Sequence, residues 1–300
     1  MFERTGPEVD RTHRDRFQGV EPRRRRCSAD RAPTRPVERR PLRFLFVAVL
    51  LAVIGLGGCG DDQTVSSPGP AGPVGPVGSV GPTDVDDDNV VAGSGEMTTE
   101  FRPVEGFDRV MLAGQGAITL TIGDEERLSI ATDANLLDLI ETSVRDGVLE
   151  IRTAPGLDIA PSRSVMYDIG ATDLASVEIS GAGSITIDRW STESSRVVLS
   201  GVGEIQIGSL DATTLEVDHG GVGSITIVGR VVDQIVTVSG VGDYNAGDLE
   251  SATASVDASG AGAATIWVTG TLAIAASDSS SVEFFGSPDL SQQVDDLATI

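Results

Sequence analysis

The chain has 300 residues, of which 36 are glycine and only 4% are aromatic, and its formal net charge is −23. After Cys59 it carries 9 arginines, no lysine and 38 acidic residues, so this part has a net charge of −29. Such a charge excludes nucleic acid and anionic lipid as natural partners, because both require a basic surface. The chain has two cysteines, which are too few to form a disulfide framework.

The first 36 residues are rich in arginine, and residues 23–26 form one basic block. Such blocks can bind nucleic acid. A segment that has no apolar core and precedes an export signal is more typical of non-native or disordered sequence. We therefore predict that residues 1–36 are an extension outside the native protein and that translation starts at Val37.

Residues 37–58 have the order of a secretory signal peptide: a basic patch, an apolar run over 44–55, and small residues before Cys59. The alternative is a transmembrane helix, for which the apolar run is short. The sequence Leu56-Gly-Gly-Cys59 resembles the lipobox of bacterial lipoproteins. The resemblance implies that Cys59 is lipidated and that the protein is anchored in the cell envelope, at the outer membrane or the cell surface.

Residues 59–100 are predicted to be a disordered tether. Glycine stands at every third position from 69 to 81 with prolines between, as in collagen, but five triplets are too few to hold a triple helix alone. A semi-rigid spacer is therefore favoured over a trimerising stalk. Asp84, Asp86 and Asp88 begin like a calcium loop. The glycine and glutamate that such a loop needs at its sixth and twelfth positions are absent, so we predict no metal and no cofactor.

Residues 101–287 are predicted to form a β domain. The segment 110–120 has apolar alternation on both sides of Gly114 and Gly116, which indicates two strands. Asp146-Gly147 stands between alternating apolar runs and predicts a hairpin. Residues 133–141 could form one helical turn, which is too short to be stable alone.

A Ser-Gly-x-Gly tetrapeptide, or Gly-Gly-x-Gly in one case, begins at residues 180, 200, 220, 239 and 259, at intervals of 19 or 20 residues. Alternating apolar residues flank each copy, which is the pattern of strands. A fixed period of this length is typical of solenoids, in which coils stack to bury their apolar side. The predicted fold is therefore an all-β, single-chain β-solenoid, similar to a β-helix, with coils of about 20 residues.

Two glycines in each copy are predicted to form a tight corner or bulge, because glycine permits positive φ. They are Gly181, Gly183, Gly201, Gly203, Gly221, Gly223, Gly240, Gly242, Gly260 and Gly262. The outward residues of successive coils should stack into one polar ladder, which is a candidate binding surface: Thr186, Gln206, Thr226, Asn245 and Thr265. The repeat loses its glycines near residue 279, which predicts a cap, and residues 288–300 are expected to be a tail.

No motif for catalysis stands out. His219 follows Asp218, but it occurs in one coil only and no nucleophile elbow is present, so we interpret it as a surface residue at a corner. The tetrapeptides are not phosphate loops, because they recur between strands and never open a helix. The enzyme class to consider is the β-helical polysaccharide lyases and hydrolases, whose clustered catalytic groups this sequence does not show.

The sequence also resembles a known family. Phe107-Asp-Arg-Val-Met-Leu-Ala-Gly, Ile118-Thr-Leu-Thr-Ile-Gly123, Val144-Arg-Asp-Gly-Val-Leu-Glu-Ile151 and the Ser-Gly-x-Gly repeats are together similar to the head GIN domain, found in bacterial lipoproteins and envelope proteins. The resemblance covers about 104–285 and implies a β-solenoid with an adhesin-like role. It supplies no ligand or binding residues. A true autotransporter would also need a membrane barrel, for which no segment after residue 285 is long enough.

These observations favour a lipid-anchored, acidic β-solenoid that is displayed from the bacterial envelope and acts as a binding or scaffold module, not as an enzyme. The expected partners are the membrane, through Cys59, and a glycan or an envelope or surface protein. A carbohydrate-active enzyme and a purely structural spacer are the alternatives. The oligomeric state stays open.

Overall fold

A computed structural model describes residues 89–300; the predictions for the extension, the signal peptide, Cys59 and the collagen-like segment lie outside this part. The described part is built almost entirely from strands, with one 3₁₀ helix at Ala134–Leu139. The strands are β1 (Val90–Ala92), β2 (Met97–Arg102), β3 (Arg109–Leu112), β4 (Gln115–Ile122), β5 (Arg127–Asp133), β6 (Ile140–Arg145), β7 (Val148–Thr153), β8 (Asp158–Ala160), β9 (Met166–Ala171), β10 (Ser176–Ile179), β11 (Ala182–Ile187), β12 (Trp190–Leu199), β13 (Val202–His219), β14 (Val222–Val238), β15 (Val241–Ala258), β16 (Ala263–Ala276), β17 (Ser281–Gly286) and β18 (Asp289–Val294).

Each repeat forms one coil with three sides, and successive coils stack as parallel strands in register. Face A contains residues 176–179 of β10 and the segments stacked on them, face B contains residues 182–187 of β11 and its neighbours, and face C begins with residues 190–192 of β12. The long strands β13, β14 and β15 each pass through faces B, C and A in that order. The predicted all-β solenoid with coils of about 20 residues is confirmed.

The interior consists of columns of aliphatic side chains, one from each coil. Side chains alternate across a strand, so every second residue of a coil points inward and meets its equivalent in the next coil. All members of these columns are buried. On face A one column contains Val110, Val177, Val197, Val217, Val236 and Val256; on face B another contains Ile118, Ile185, Ile205 and Ile225.

Two polar side chains within the interior columns, Tyr244 and Gln234, bind each other. Tyr244 follows Ile225 in register and is fully buried, and its hydroxyl donates a hydrogen bond to Gln234 Oε1 at 2.9 Å. The next residues in the two columns, Ala264 and Ala254, are small. A large side chain is thus offset by small neighbours, which keeps the interior close-packed. Burial raises the pKa of Tyr244 and keeps its hydroxyl protonated as the donor.

The repeated glycines lie at the corner between faces A and B, but for a different reason from the one predicted. Of the ten, only Gly223 and Gly260 have positive φ. At the others the constraint is the close approach of successive coils: a Cβ on Gly201 would overlap with the carbonyl oxygen of Gly181, and one on Gly221 would overlap with that of Gly201. Glycine is therefore required because each corner stacks directly on the backbone of the one before.

The N-terminal part adds antiparallel strands to the two faces. β2 and β5 extend face B beyond β9, whereas β6 pairs with β7 at the edge of face A. The predicted hairpin is confirmed, with Asp146 and Gly147 both at positive φ between β6 and β7. The predicted helical turn is the 3₁₀ helix. The predicted tether boundary at residue 100 is wrong, because β1 and β2 already belong to the domain.

Asp133 holds this part together from a buried position. Its carboxylate accepts hydrogen bonds from the Gly95 amide at 2.6 Å, the Ser162 amide at 2.8 Å and the Ser162 hydroxyl at 2.7 Å. The carboxylate thus links the segment between β1 and β2 to the loop before β9. These donors, the Ser162 hydroxyl first, hold the pKa of Asp133 below its usual value.

We expect Asp133→Asn to lower the free energy of unfolding at neutral pH, because an amide cannot accept from three donors as a carboxylate does. A carboxyl group whose pKa is lowered by folding stabilises the folded state above its unfolded pKa of about 3.9. This contribution disappears as the pH falls through the folded pKa. Urea unfolding of both proteins over a series of acidic pH values should therefore show their difference shrinking. A difference that stays constant with pH would contradict this role.

The C-terminal coil continues further than predicted. β17 extends face B and β18 extends face A, both in parallel register with β16. Residues 289–294 were expected to lie in a tail but form a strand, because Leu290 and Val294 continue the columns of Leu272 and Ala276. Both are 40% exposed or more, since no further coil of the described part covers them.

Candidate binding face

A single row of outward side chains runs along face B from one end of the described domain to the other. Within the repeats, Thr186 is next to Gln206, Gln206 to Thr226, Thr226 to Asn245, and Asn245 to Thr265. Neighbouring strands lie about 4.8 Å apart, so the side chains recur at this spacing. We call this set the face B row, whose full register order is Phe101, Ser129, Asp168, Thr119, Thr186, Gln206, Thr226, Asn245, Thr265 and Glu283.

The five predicted ladder residues are thus consecutive neighbours in one row. Thr186, Gln206 and Asn245 are exposed, and Thr226 and Thr265 are half-buried. The other five members of the row were missed. They precede or follow the repeats, and two of them, Phe101 and Ser129, join the row through antiparallel pairing that no repeat spacing reveals.

A second row lies beside the first, two residues earlier in each coil. Its members Ser184, Glu204, Ser224 and Asp243 are in register. Gln206 Nε2 donates a hydrogen bond to Glu204 Oε1 at 2.6 Å, so the two rows are joined within one coil. In the four coils from residue 184 to residue 245, coils with two hydroxyl groups thus alternate with coils that carry an amide and a carboxylate, whereas the next coil carries Ala263 and Thr265.

A third row is apolar and follows the glycine corner. Val202, Val222 and Val241 stack in register and are 56%, 50% and 57% exposed. These valines occupy the variable position of the tetrapeptide, which points outward because the glycines on both sides face the neighbouring coil. Face B thus offers an apolar edge beside its two polar rows.

The ionic groups of face B are unevenly distributed. Arg127 binds Asp168 at 2.8 Å at the N-terminal end. No arginine follows Arg230 in the sequence, whereas Asp243 and Glu283 stand at the C-terminal end. Anionic ligands are disfavoured on such a surface because like charges repel.

Comparison with protein-family models gives one match, over residues 106–288, to the family described as "Putative auto-transporter adhesin, head GIN domain". The chain belongs to this family. The match includes the glycine corner and most of the face B row. A comparison with curated proteins finds no match.

Solved structures share the fold of this head GIN domain. A "putative adhesin" from Bacteroides fragilis has 23% identity and a TM-score of 0.66, covering 70% of this chain and 98% of that one. A "putative lipid binding protein" from Parabacteroides distasonis has 20% identity and a TM-score of 0.55, with 70% and 99% covered. A "putative adhesin" from Parabacteroides merdae has 13% identity and a TM-score of 0.53, with 71% and 99% covered. At these identities the comparison establishes the fold alone.

The prediction that His219 lies at the surface is wrong. In the head GIN domain this residue is fully buried. It stands in register between Leu199 and Val238, on the inward side of face A. Its Nε2 lies 3.1 Å from the Gly223 carbonyl oxygen, whereas its Nδ1 has no hydrogen-bond partner within residues 89–300. A side chain so enclosed is a core residue and cannot reach a substrate.

We expect His219→Leu to raise the free energy of unfolding by about 1 kcal/mol, because it removes a buried nitrogen that lacks a partner. The new side chain would also continue an aliphatic column. Urea unfolding followed by circular dichroism measures the change. A variant less stable than the original protein would show that the hydrogen bond to Gly223 outweighs the unsatisfied Nδ1.

Among residues 89–300, no group of three or more histidine, cysteine or acidic side chains is arranged to hold a metal ion. Within residues 89–300, no helix has the length and apolar character needed to cross a membrane. The predicted lipidation site, Cys59, lies outside this part.

Proposed function

We propose that this chain is a lipid-anchored protein of the bacterial envelope that displays its head GIN domain as an adhesin-like binding module. The observation that carries the proposal is the face B row, which presents hydroxyl and amide groups at a constant spacing along the domain. Such a row suits a partner that is itself repetitive, because many weak contacts then form together. The family's description as an adhesin agrees with binding as its role.

Anchoring is inferred from the sequence around Cys59, where a short apolar run ends in a lipobox-like tetrapeptide. A lipid anchor and a tether would hold the domain at the envelope and away from the membrane surface. Cys59→Ser should release the protein from the membrane fraction into the soluble fraction. If the variant stays with the membranes, the anchor lies elsewhere.

Adhesion is tested by replacing Thr186, Gln206 and Thr226 together with alanine in cells that carry the full chain. We expect attachment to glycan-coated or cell surfaces to fall while the amount of protein at the envelope stays the same. The matched control replaces Thr237, Ser255 and Gln293, which are exposed hydroxyl and amide residues of face A. Equal attachment by both variants and the original protein would end the proposal for face B.

A further inference from the structure

We infer that face B is the binding site for a neutral, linear, β-linked polysaccharide of the cellulose or chitin type, and that Phe101 is the residue on which one sugar ring stacks. This inference rests on the proposed function and names its ligand class. It uses three observations: a two-coil alternation, an exposed aromatic ring in line with the row, and the charge of the face.

The alternation gives the four central coils of face B, from residue 184 to residue 245, a repeat of two coils. Hydroxyl coils, with Ser184 and Thr186 or Ser224 and Thr226, alternate with coils that carry a carboxylate and an amide. Two coils span about 9.6 Å, twice the spacing of neighbouring strands. In a β-1,4-linked pyranose chain, as in cellulose and chitin, each sugar is rotated by half a turn from the previous one, so equivalent groups recur at every second sugar. The length of two such sugars is comparable to two coils, so the chain and the face can remain in phase.

The groups on these coils match the chemistry of sugar hydroxyls. Serine and threonine hydroxyls donate and accept, the amides of Gln206 and Asn245 do both, and the carboxylates of Glu204 and Asp243 accept only. A neutral sugar unit offers hydroxyl groups that both donate and accept. Each coil therefore offers a hydrogen-bonding group to a sugar hydroxyl, and binding does not require a charged sugar.

Phe101 supplies the apolar contact that a pyranose ring needs. Its side chain is 78% exposed, and it joins the face B row through Ser129 and Asp168. It borders a shallow cavity of about 670 Å³ that is also lined by Val104 and Glu126. The C–H groups on one face of a pyranose are apolar and pack flat on an aromatic ring. The ring lies in line with the hydroxyl and amide groups, so one extended chain can contact both.

The charge of face B selects against acidic polysaccharides. Glu204, Asp243 and Glu283 face outward along the rows. Arg127, which lies beside the row, is already bound to Asp168. Uronic acids and phosphorylated polymers would thus be repelled by the carboxylates of these rows.

Polypeptides fit the same surface less well. An extended strand repeats every two residues, about 6.7 Å, which does not match one coil or two. A polyproline II helix repeats every three residues, about 9.3 Å, and does match two coils. Such helices dock in grooves lined by several aromatic residues, whereas the face B row holds a single one, Phe101.

The experiment uses the full chain in detergent and measures its binding to cello- and chito-oligosaccharides from disaccharide to octasaccharide by calorimetry. We expect affinity to increase with length as further coils are engaged. Phe101→Ala should weaken binding of the longest oligosaccharides about tenfold, the value of one ring-stacking contact, and Phe101→Tyr should restore it. Ile235→Ala is the control, because Ile235 is also an exposed apolar residue but lies on face A.

The outcomes separate this inference from the proposed function. If no neutral β-linked oligosaccharide binds, or if a polyproline peptide or an acidic polysaccharide binds instead, the ligand class is wrong. Loss of cell attachment in the Thr186, Gln206 and Thr226 variant would still support the adhesin role in that case. If binding occurs but Phe101→Ala and Ile235→Ala behave alike, Phe101 is not the stacking residue and the inference as stated is overturned.

Discussion

Replacing Gly223 by alanine is expected to destabilise the solenoid by about 4 kcal/mol, a large fraction of the stability of an ordinary domain. Gly223 has a φ of 135°, which a residue with a side chain rarely adopts. A Cβ at this position would also overlap with the carbonyl oxygen of Gly203 in the preceding coil. Both effects act in the middle of the stack, where two coils cannot move apart without breaking their strand pairing. Thermal unfolding followed by circular dichroism measures the loss.

The matched control for this change is Gly220→Ser, at the same corner. Serine occupies this position in the other copies of the tetrapeptide, and a Cβ on Gly220 would meet only the Ser239 hydroxyl, at 3.5 Å. We expect this variant to unfold at nearly the same temperature as the original protein. If Gly223→Ala is as well tolerated as Gly220→Ser, the coils do not approach each other as closely as the structure indicates.

The second large effect is expected at Trp190, the first interior residue of face C. Its side chain is fully buried, and its indole N–H donates to the Leu174 carbonyl oxygen at 2.9 Å. Trp190→Ala should lower the free energy of unfolding by about 3–5 kcal/mol. The reason is that it leaves a cavity below Leu210, the residue stacked on Trp190. Urea unfolding gives the free energy directly.

Two further variants separate the contributions at Trp190. Trp190→Phe keeps most of the apolar volume but leaves the Leu174 carbonyl without its donor, so a smaller loss of about 1–2 kcal/mol is expected. Val202→Ala removes an exposed side chain and should change the stability by no more than about 0.5 kcal/mol. Similar losses for Trp190→Ala and Val202→Ala would contradict the assigned core.

Much of the fold follows from local sequence signals. The alternation around each tetrapeptide is regular, so the strands, the coil length and the register of Thr186, Gln206 and Thr226 could all be read from it. Asp146-Gly147 is a strong hairpin signal because both residues tolerate positive φ. These features depend on residues that are close together in the sequence or repeat at a fixed interval.

Features that depend on distant contacts were not predictable in the same way. The strands β1, β2 and β18 have weak alternation and become strands because they pair with β8, β5 and β16. The corner glycines illustrate the same limit, because the atom that excludes a side chain at Gly201 belongs to the previous coil. Only the stacked structure shows that close approach, and not positive φ, is the main constraint.

Two side chains were misjudged from the sequence for opposite reasons. His219 follows the inward parity of Leu215 and Val217, a signal that was present but was outweighed by its position at a corner. Phe101 gave no signal, since it precedes the repeats and reaches the face B row only through the antiparallel strands β2, β5 and β9. The candidate site was therefore half predictable. Its repeated centre follows from the spacing of the repeats, whereas its aromatic end follows only from the topology of the strands.

The stacking of coils along one face is tested most directly by distances between spin labels on the face B row. With Cys27 and Cys59 replaced by serine, labels at Thr186→Cys and Thr265→Cys are four strand spacings apart, about 19 Å between backbones. Labels at Thr119→Cys and Thr265→Cys are five spacings apart, about 24 Å. We expect pulsed dipolar spectroscopy to find these two distances, differing by one strand spacing. Distances that do not increase with the number of coils would show that the row, and the binding face built on it, does not exist.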